Sequence, residues 1–209
     1  MQKIAVLVAT PYEECIERNA KRERKVPEEV ITRMYHNFYM PQYYEGFDEI
    51  QIKYNSKYMF FMDDLEDIPQ DNPHHTLSVL EHCRKVLELL QKDNHRFSIP
   101  INYAGGLHDI GKLKTKTFTN MKGETTDIAH YYNHEKVSAY DSLFYVNLRS
   151  RIELNADVDF VLETLKLIQW HMIMHFDMSE KTVTKYKRLL GESTWKDLEI
   201  LHKADCEAR

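Results

Sequence analysis

His108 and Asp109 stand side by side in Leu107-His108-Asp109-Ile110-Gly111-Lys112. Four more residues of the same chemical kinds lie far off in the chain: His82 before them, and His134, His171 and Asp205 after. Each lies on or beside the apolar face of an expected helix. Nitrogen and carboxylate donors from separate helices, without thiolate, suit a borderline-to-hard divalent cation: Mn, Fe, Co, Ni, Zn or Mg. The set is large enough for one ion or for two, with Asp109 able to bridge. A cation so held brings the pKa of bound water from about 15.7 towards about 7 and polarises a phosphoryl oxygen. Hydrolysis of a phosphate ester needs both.

The two carboxylates weigh most. Asp109 follows the apolar stretch Ala104–Leu107, and Asp205 shares a helical stripe with Leu198, Leu201 and Ala208. Aspartate is almost never fully buried unless paired, and an unpaired buried charge costs several kcal/mol, which coordination removes. The histidines are weaker singly. His82 lies at helical spacing from Ser78, Val79, Val86 and Leu89, and His171 shares a stripe with Leu167, Ile168 and His175. A lone core histidine is more often just hydrogen-bonded. His134, with Glu135 at a helix start, fits a capping or surface role equally well. His175 and His202 are expected to support ligands or to face solvent. Lys112 is close enough to Asp109 in sequence to bring a point charge to a phosphate oxygen. Lys114 and Lys116 are expected to be solvated loop lysines.

The elements that must position these residues divide the chain in two. Residues 1–60 read as a small β-α-α-β segment: a buried strand over Lys3–Thr10, a charged helix over Glu13–Arg24, a helix that Pro27 opens and that runs to Tyr39, and an alternating strand over Phe47–Lys53. The acidic, aromatic stretch Met59–Asn72 marks a boundary. Residues 70–209 then read as a helical bundle, with helices over Thr76–Gln91, Ile101–Ile110, His134–Ser150, Val158–Phe176, Ser179–Leu190 and Thr194–Ala208. A polar, Thr-rich connection covers Lys112–Asp127. Gly105-Gly106 would let another backbone approach closely. The expected class is mainly α.

Composition narrows the partners. Twenty-eight Lys and Arg against thirty-three Asp and Glu give a net charge of −5, which argues against a general nucleic-acid binder. Cys15, Cys83 and Cys206 are odd in number and widely spaced, so neither a disulfide framework nor a CxxC zinc pair is expected. They fit a reduced cytoplasm. The longest apolar run, near Ile4–Thr10, is far short of the roughly 20 residues of a membrane span. A cytoplasmic protein without a membrane partner is the expectation.

Taken together, VLEHCRKVLELL (His82), GGLHDIGK (His108, Asp109, Lys112), YYNHEKVSA (His134), IQWHMIMH (His171) and LHKADCEAR (Asp205) resemble the HD superfamily of metal-dependent phosphohydrolases over about residues 70–209. The resemblance implies an all-α bundle, with His82, His108, Asp109 and Asp205 as core ligands and Asp109 and Lys112 in catalysis. It implies that His134 and His171 hold a second metal. His74-His75 is similar to the paired histidines that face the substrate in the version attached to bacterial tRNA nucleotidyltransferases. The implied substrates are nucleotides or RNA-end phosphates. The segment ERNAKRERKVPEEVITRMYHNFYMPQYYEGFDEIQI resembles the lid and C-terminal part of polynucleotide-kinase-type P-loop kinases, with Arg18, Arg22 and Arg24 as lid arginines. No GxxxxGK[ST] loop occurs, so kinase activity is not expected. A non-catalytic subunit that binds a nucleic-acid end or a nucleotide and docks onto a P-loop kinase through residues 1–60 is the alternative reading.

Overall fold

A computed structural model describes residues 1–73, 75–92, 99–145 and 158–209. His74, and residues 146–150 of the expected helix after His134, lie outside the described residues. Among the described residues the chain is mainly helical, with two small sheets.

Strands β1 (Ile4–Ala9) and β2 (Glu49–Tyr54) pair in parallel, Ile4 opposite Glu49 and Ala9 opposite Tyr54. The apolar run predicts a buried strand, and here the structure corrects it for one face. Ile4, Val6 and Val8 are 45%, 54% and 56% exposed. Their period-2 partners Ala5, Leu7 and Ala9 turn to the core, so the sheet is covered on one side. Helix α1 (Tyr12–Ala20) stops before the expected Arg24. Asn19 closes it: its amide donates to the Val26 carbonyl at 2.8 Å and accepts from the Val26 N–H at 2.9 Å, folding the chain back. Helix α2 (Glu28–His36) begins after Pro27 and ends short of Tyr39.

The helical part comprises α3 (Val79–Lys92), α4 (Ile99–Leu107), a single turn α5 (Lys112–Thr115), α6 (His134–Ser142), α7 (Val158–Trp170), α8 (Glu180–Leu190) and α9 (Glu192–Glu207). A 3-10 turn, His171–His175, continues α7. Helix α4 packs on α3, α7 and α9, and α6 on α7. Gly105 carries the close approach of α4 to α3, since a Cβ there would sit 2.4 Å from Leu90 Cδ1. The expected connection after Lys112 is instead an antiparallel hairpin, β3 (Lys116–Thr119) with β4 (Thr125–Tyr131), turned by Asn120–Gly123. Its threonines are the β-branched residues of a half-exposed strand pair.

Ala9, Met40, Ile50 and Ile52 belong to the same buried cluster as Leu143, Phe144 and Leu165. Polar groups stitch the two parts as well. Tyr140 and Tyr54 hydroxyls donate to the Thr10 and Leu143 carbonyls at 2.6 and 2.7 Å, and the buried Met40 N–H donates to Gln169 Oε1 at 2.8 Å.

Candidate metal centre

Each of the four candidate histidines sits where a backbone carbonyl can clamp its ring. His108 directly follows α4, whose last carbonyls have no partner within the helix, and its Nδ1 lies 2.9 Å from the Gly105 carbonyl. His171 directly follows α7 in the same way, Nδ1 2.7 Å from the Ile168 carbonyl. His134 opens α6 after Asn133, which takes the left-handed turn (φ 60°) that short polar residues tolerate. Its Nδ1 lies 2.8 Å from the Tyr131 carbonyl at the end of β4. His82 is inside α3, so its Nδ1 reaches across to the Ala208 carbonyl beyond α9, at 3.4 Å. A carbonyl only accepts, so each Nδ1 is the nitrogen that donates there, and each Nε2 is the nitrogen turned into the pocket.

Those Nε2 atoms converge on two carboxylates. His82 and His108 face Asp109 Oδ2 at 3.5 and 3.6 Å, and face Asp205 Oδ1 at 3.0 and 3.9 Å. His134 and His171 face Asp109 Oδ1 at 3.1 and 3.7 Å. All six residues are at most 5% exposed. His82, His108 and Asp109 each bring a donor atom within 4.8 Å of the others, as do Asp109, His134 and His171. Asp205 closes on the first group from α9.

The pocket fits a cation and is frustrated without one. Nε2 of His82 and of His108 are buried and make no hydrogen bond of acceptable geometry, despite the short distances to carboxylate oxygens. His134 and His171 Nε2 face one another at 3.4 Å. Coordination satisfies all four at once. The donor set of imidazole and carboxylate suits a borderline divalent ion, and the ring–carbonyl clamps are the supports that orient metal-binding histidines.

Electrostatics agree. Burial alone would raise Asp109, but Lys112 and then His108 hold its carboxyl well below the usual range. Burial likewise opposes ionisation of Asp205, and the neighbouring imidazoles of His175 and His82 overcome it. Burial pushes His171 well down, with His108 and His134 adding to the effect, which keeps its ring neutral and able to ligate.

Lys112 is in the site but not on its rim. It is buried, its Nζ 2.7 Å from Asp109 Oδ2 and 2.8 Å from Gln70 Oε1. Lys114 and Lys116 are not free loop lysines either: Lys114 pairs with Glu13, and Lys116 with Asp71 at 2.6 Å. His75 packs edge-on against His82, ring centroids 5.3 Å apart, and its Nδ1 is buried without a partner. Burial, then the charge of Lys112, pulls it down to about 4. His175 does more than face solvent, since its Nε2 lies 2.8 Å from Asp205 Oδ2.

Sequence reasoning misses Gln70 and Ser138. Gln70 shares Lys112 with Asp109, and no periodicity marks it. Ser138 Oγ accepts from the Gly111 N–H at 2.8 Å, which fastens the turn carrying Asp109 to the helix carrying His134. Residues Gln70 and His75 line an outer cleft of about 620 Å³ beside the centre. A second cleft, about 610 Å³ between β1, α1 and α2, takes Arg18 and Arg22 in its wall but none of the six candidate ligands. Comparison with known protein families, curated proteins and solved structures finds no match.

Proposed function

We propose that the chain is a metal-dependent phosphohydrolase of the HD superfamily that hydrolyses a phosphate ester of a nucleotide or of an RNA end. One observation carries this reading: four imidazoles, each clamped through Nδ1 by a carbonyl, turn their Nε2 atoms onto Asp109 and Asp205 in a buried pocket. His82, His108, Asp109 and Asp205 would hold one cation. His134 and His171, with the other oxygen of Asp109, would hold a second. When bound, such an ion supplies a water acidified to near neutrality and offsets charge on a phosphoryl oxygen.

The chain's own residues do the rest. Lys112 neutralises Asp109 in the metal-free protein. With Asp109 engaged in holding a cation, the Lys112 ammonium would be available to a phosphate oxygen, beside the cleft lined by Gln70 and His75. His75, held neutral by burial, offers hydrogen bonds there without adding charge.

The test is elemental analysis of the purified chain, followed by a screen of phosphomonoesters, cyclic nucleotides and dinucleotides with each cation. Asp109→Asn is expected to lose bound metal and at least about a hundredfold of activity, of the order seen when metal sites lose their support, with an unchanged circular dichroism spectrum. Full activity in that variant would refute the assignment. The open face of β1, with Arg18 and Arg22 in the cleft behind it, favours a second reading, a non-catalytic partner of a P-loop kinase. Stable complex formation with such a kinase and no turnover on any phosphate ester would select it.

A further inference from the structure

Behind Asp205, on the solvent side of α9, a second set of donors gathers that the six-residue centre does not use. His202 and Cys206 are one helical turn apart, at i and i+4, and so share a face of α9. His175 comes from the 3-10 turn after α7. One donor atom from each of the three lies within 4.8 Å of the others, and all three are half-buried. Cys206 Sγ is 3.7 Å from His202 Nε2 and 3.8 Å from Nδ1, and the His175 and His202 rings meet edge-on at 4.5 Å.

These separations match zinc. Zn–S of about 2.3 Å and Zn–N of about 2.0–2.1 Å place sulfur and nitrogen about 3.5 Å apart around a tetrahedral ion. His175 is also braced as a ligand should be: its Nε2 bonds Asp205 Oδ2 at 2.8 Å. A neutral ring donating there keeps its lone pair on Nδ1, the carboxylate–histidine support usual at zinc sites. A thiolate among the donors sets this group apart from the imidazole–carboxylate centre, because sulfur selects softer ions.

We propose that His175, His202 and Cys206 form a separate Zn²⁺ site of two imidazoles and one thiolate, with a fourth position open to solvent. On binding, the Cys206 S–H proton leaves to solvent and a Zn–S bond forms, with no redox change. The site stands on its own geometry, whatever reaction the inner centre performs.

The thiolate makes it separately visible. Metal-stripped protein is titrated with Co²⁺, which takes zinc geometry, and the near-ultraviolet thiolate-to-cobalt charge-transfer band is followed. The wild-type chain is expected to develop the band, and added Zn²⁺ to remove it. Cys206→Ser and His202→Ala are expected to lack it, and each to bind about one ion fewer than wild type. Cys15→Ser and Cys83→Ala are expected to keep it. A wild-type chain that shows no band, or a band surviving Cys206→Ser, overturns the proposal.

Discussion

Lys112 and Asp109 form a buried ion pair, 2.7 Å from Nζ to Oδ2. Removing one partner of such a pair leaves an uncompensated charge costing about 3–5 kcal/mol. Lys112→Met is therefore expected to destabilise the metal-free protein by roughly that amount. A saturating divalent cation is expected to recover most of it, because the ion supplies the positive charge that Asp109 lost and binds only the folded state. Urea denaturation with and without cation checks this. An equal loss in both conditions would mean that Lys112 serves packing, not charge. The residue types of the centre are legible in the sequence because buried carboxylates demand partners. The clamping of each ring is not. It depends on His108 and His171 falling just past a helix end, and periodicity locates such ends only to within a few residues.

Among the elements, the turn between α4 and α5 decides whether two halves of the centre meet. A Cβ on Gly111 would sit 2.3 Å from the His134 carbonyl and 2.6 Å from the Ser138 nitrogen, both backbone atoms of α6. Only glycine permits that approach. Gly111→Ala is expected to cost about 3 kcal/mol, at the upper end of overpacking penalties. It is also expected to part His134 from Asp109, which a lower metal stoichiometry with most of the helical signal retained would register. A fully loaded, equally stable Gly111→Ala protein would count against this arrangement. Strands β1 and β2 and the long amphipathic helices are plain in the sequence, since apolar spacing reports them directly. Hairpin β3–β4 is not, because its threonines and lysines lack the apolar alternation that marks a half-buried strand. The open face of β1 is hidden for the opposite reason: an apolar run reads the same whether one face or two are covered.

At the scale of the molecule, the small sheet and the bundle share one core, and a polar contact crosses between them with a pH signature. Tyr35 donates to Asp141 Oδ2 at 2.7 Å, and burial raises the Asp141 carboxyl to about 6 from its usual 3.8. A raised folded value means the native state favours the protonated acid. Its contribution is complete below about pH 4 and is lost as pH rises through about 6. The shift corresponds to about 3 kcal/mol at most, and partial exposure of Asp141 reduces it to about 1–2 kcal/mol. Asp141→Asn is expected to flatten the stability profile between pH 4 and 7, measured as unfolding free energy in urea; parallel profiles would sink the claim. The last ligand-bearing element in chain order is α9, which supplies Asp205 and, at its end, the carbonyl that holds His82. A chain still being synthesised from its N-terminus exposes α3 and α4 before that helix leaves the ribosome. The pocket is therefore complete only once α9 has emerged, and an ion held there would be captured last.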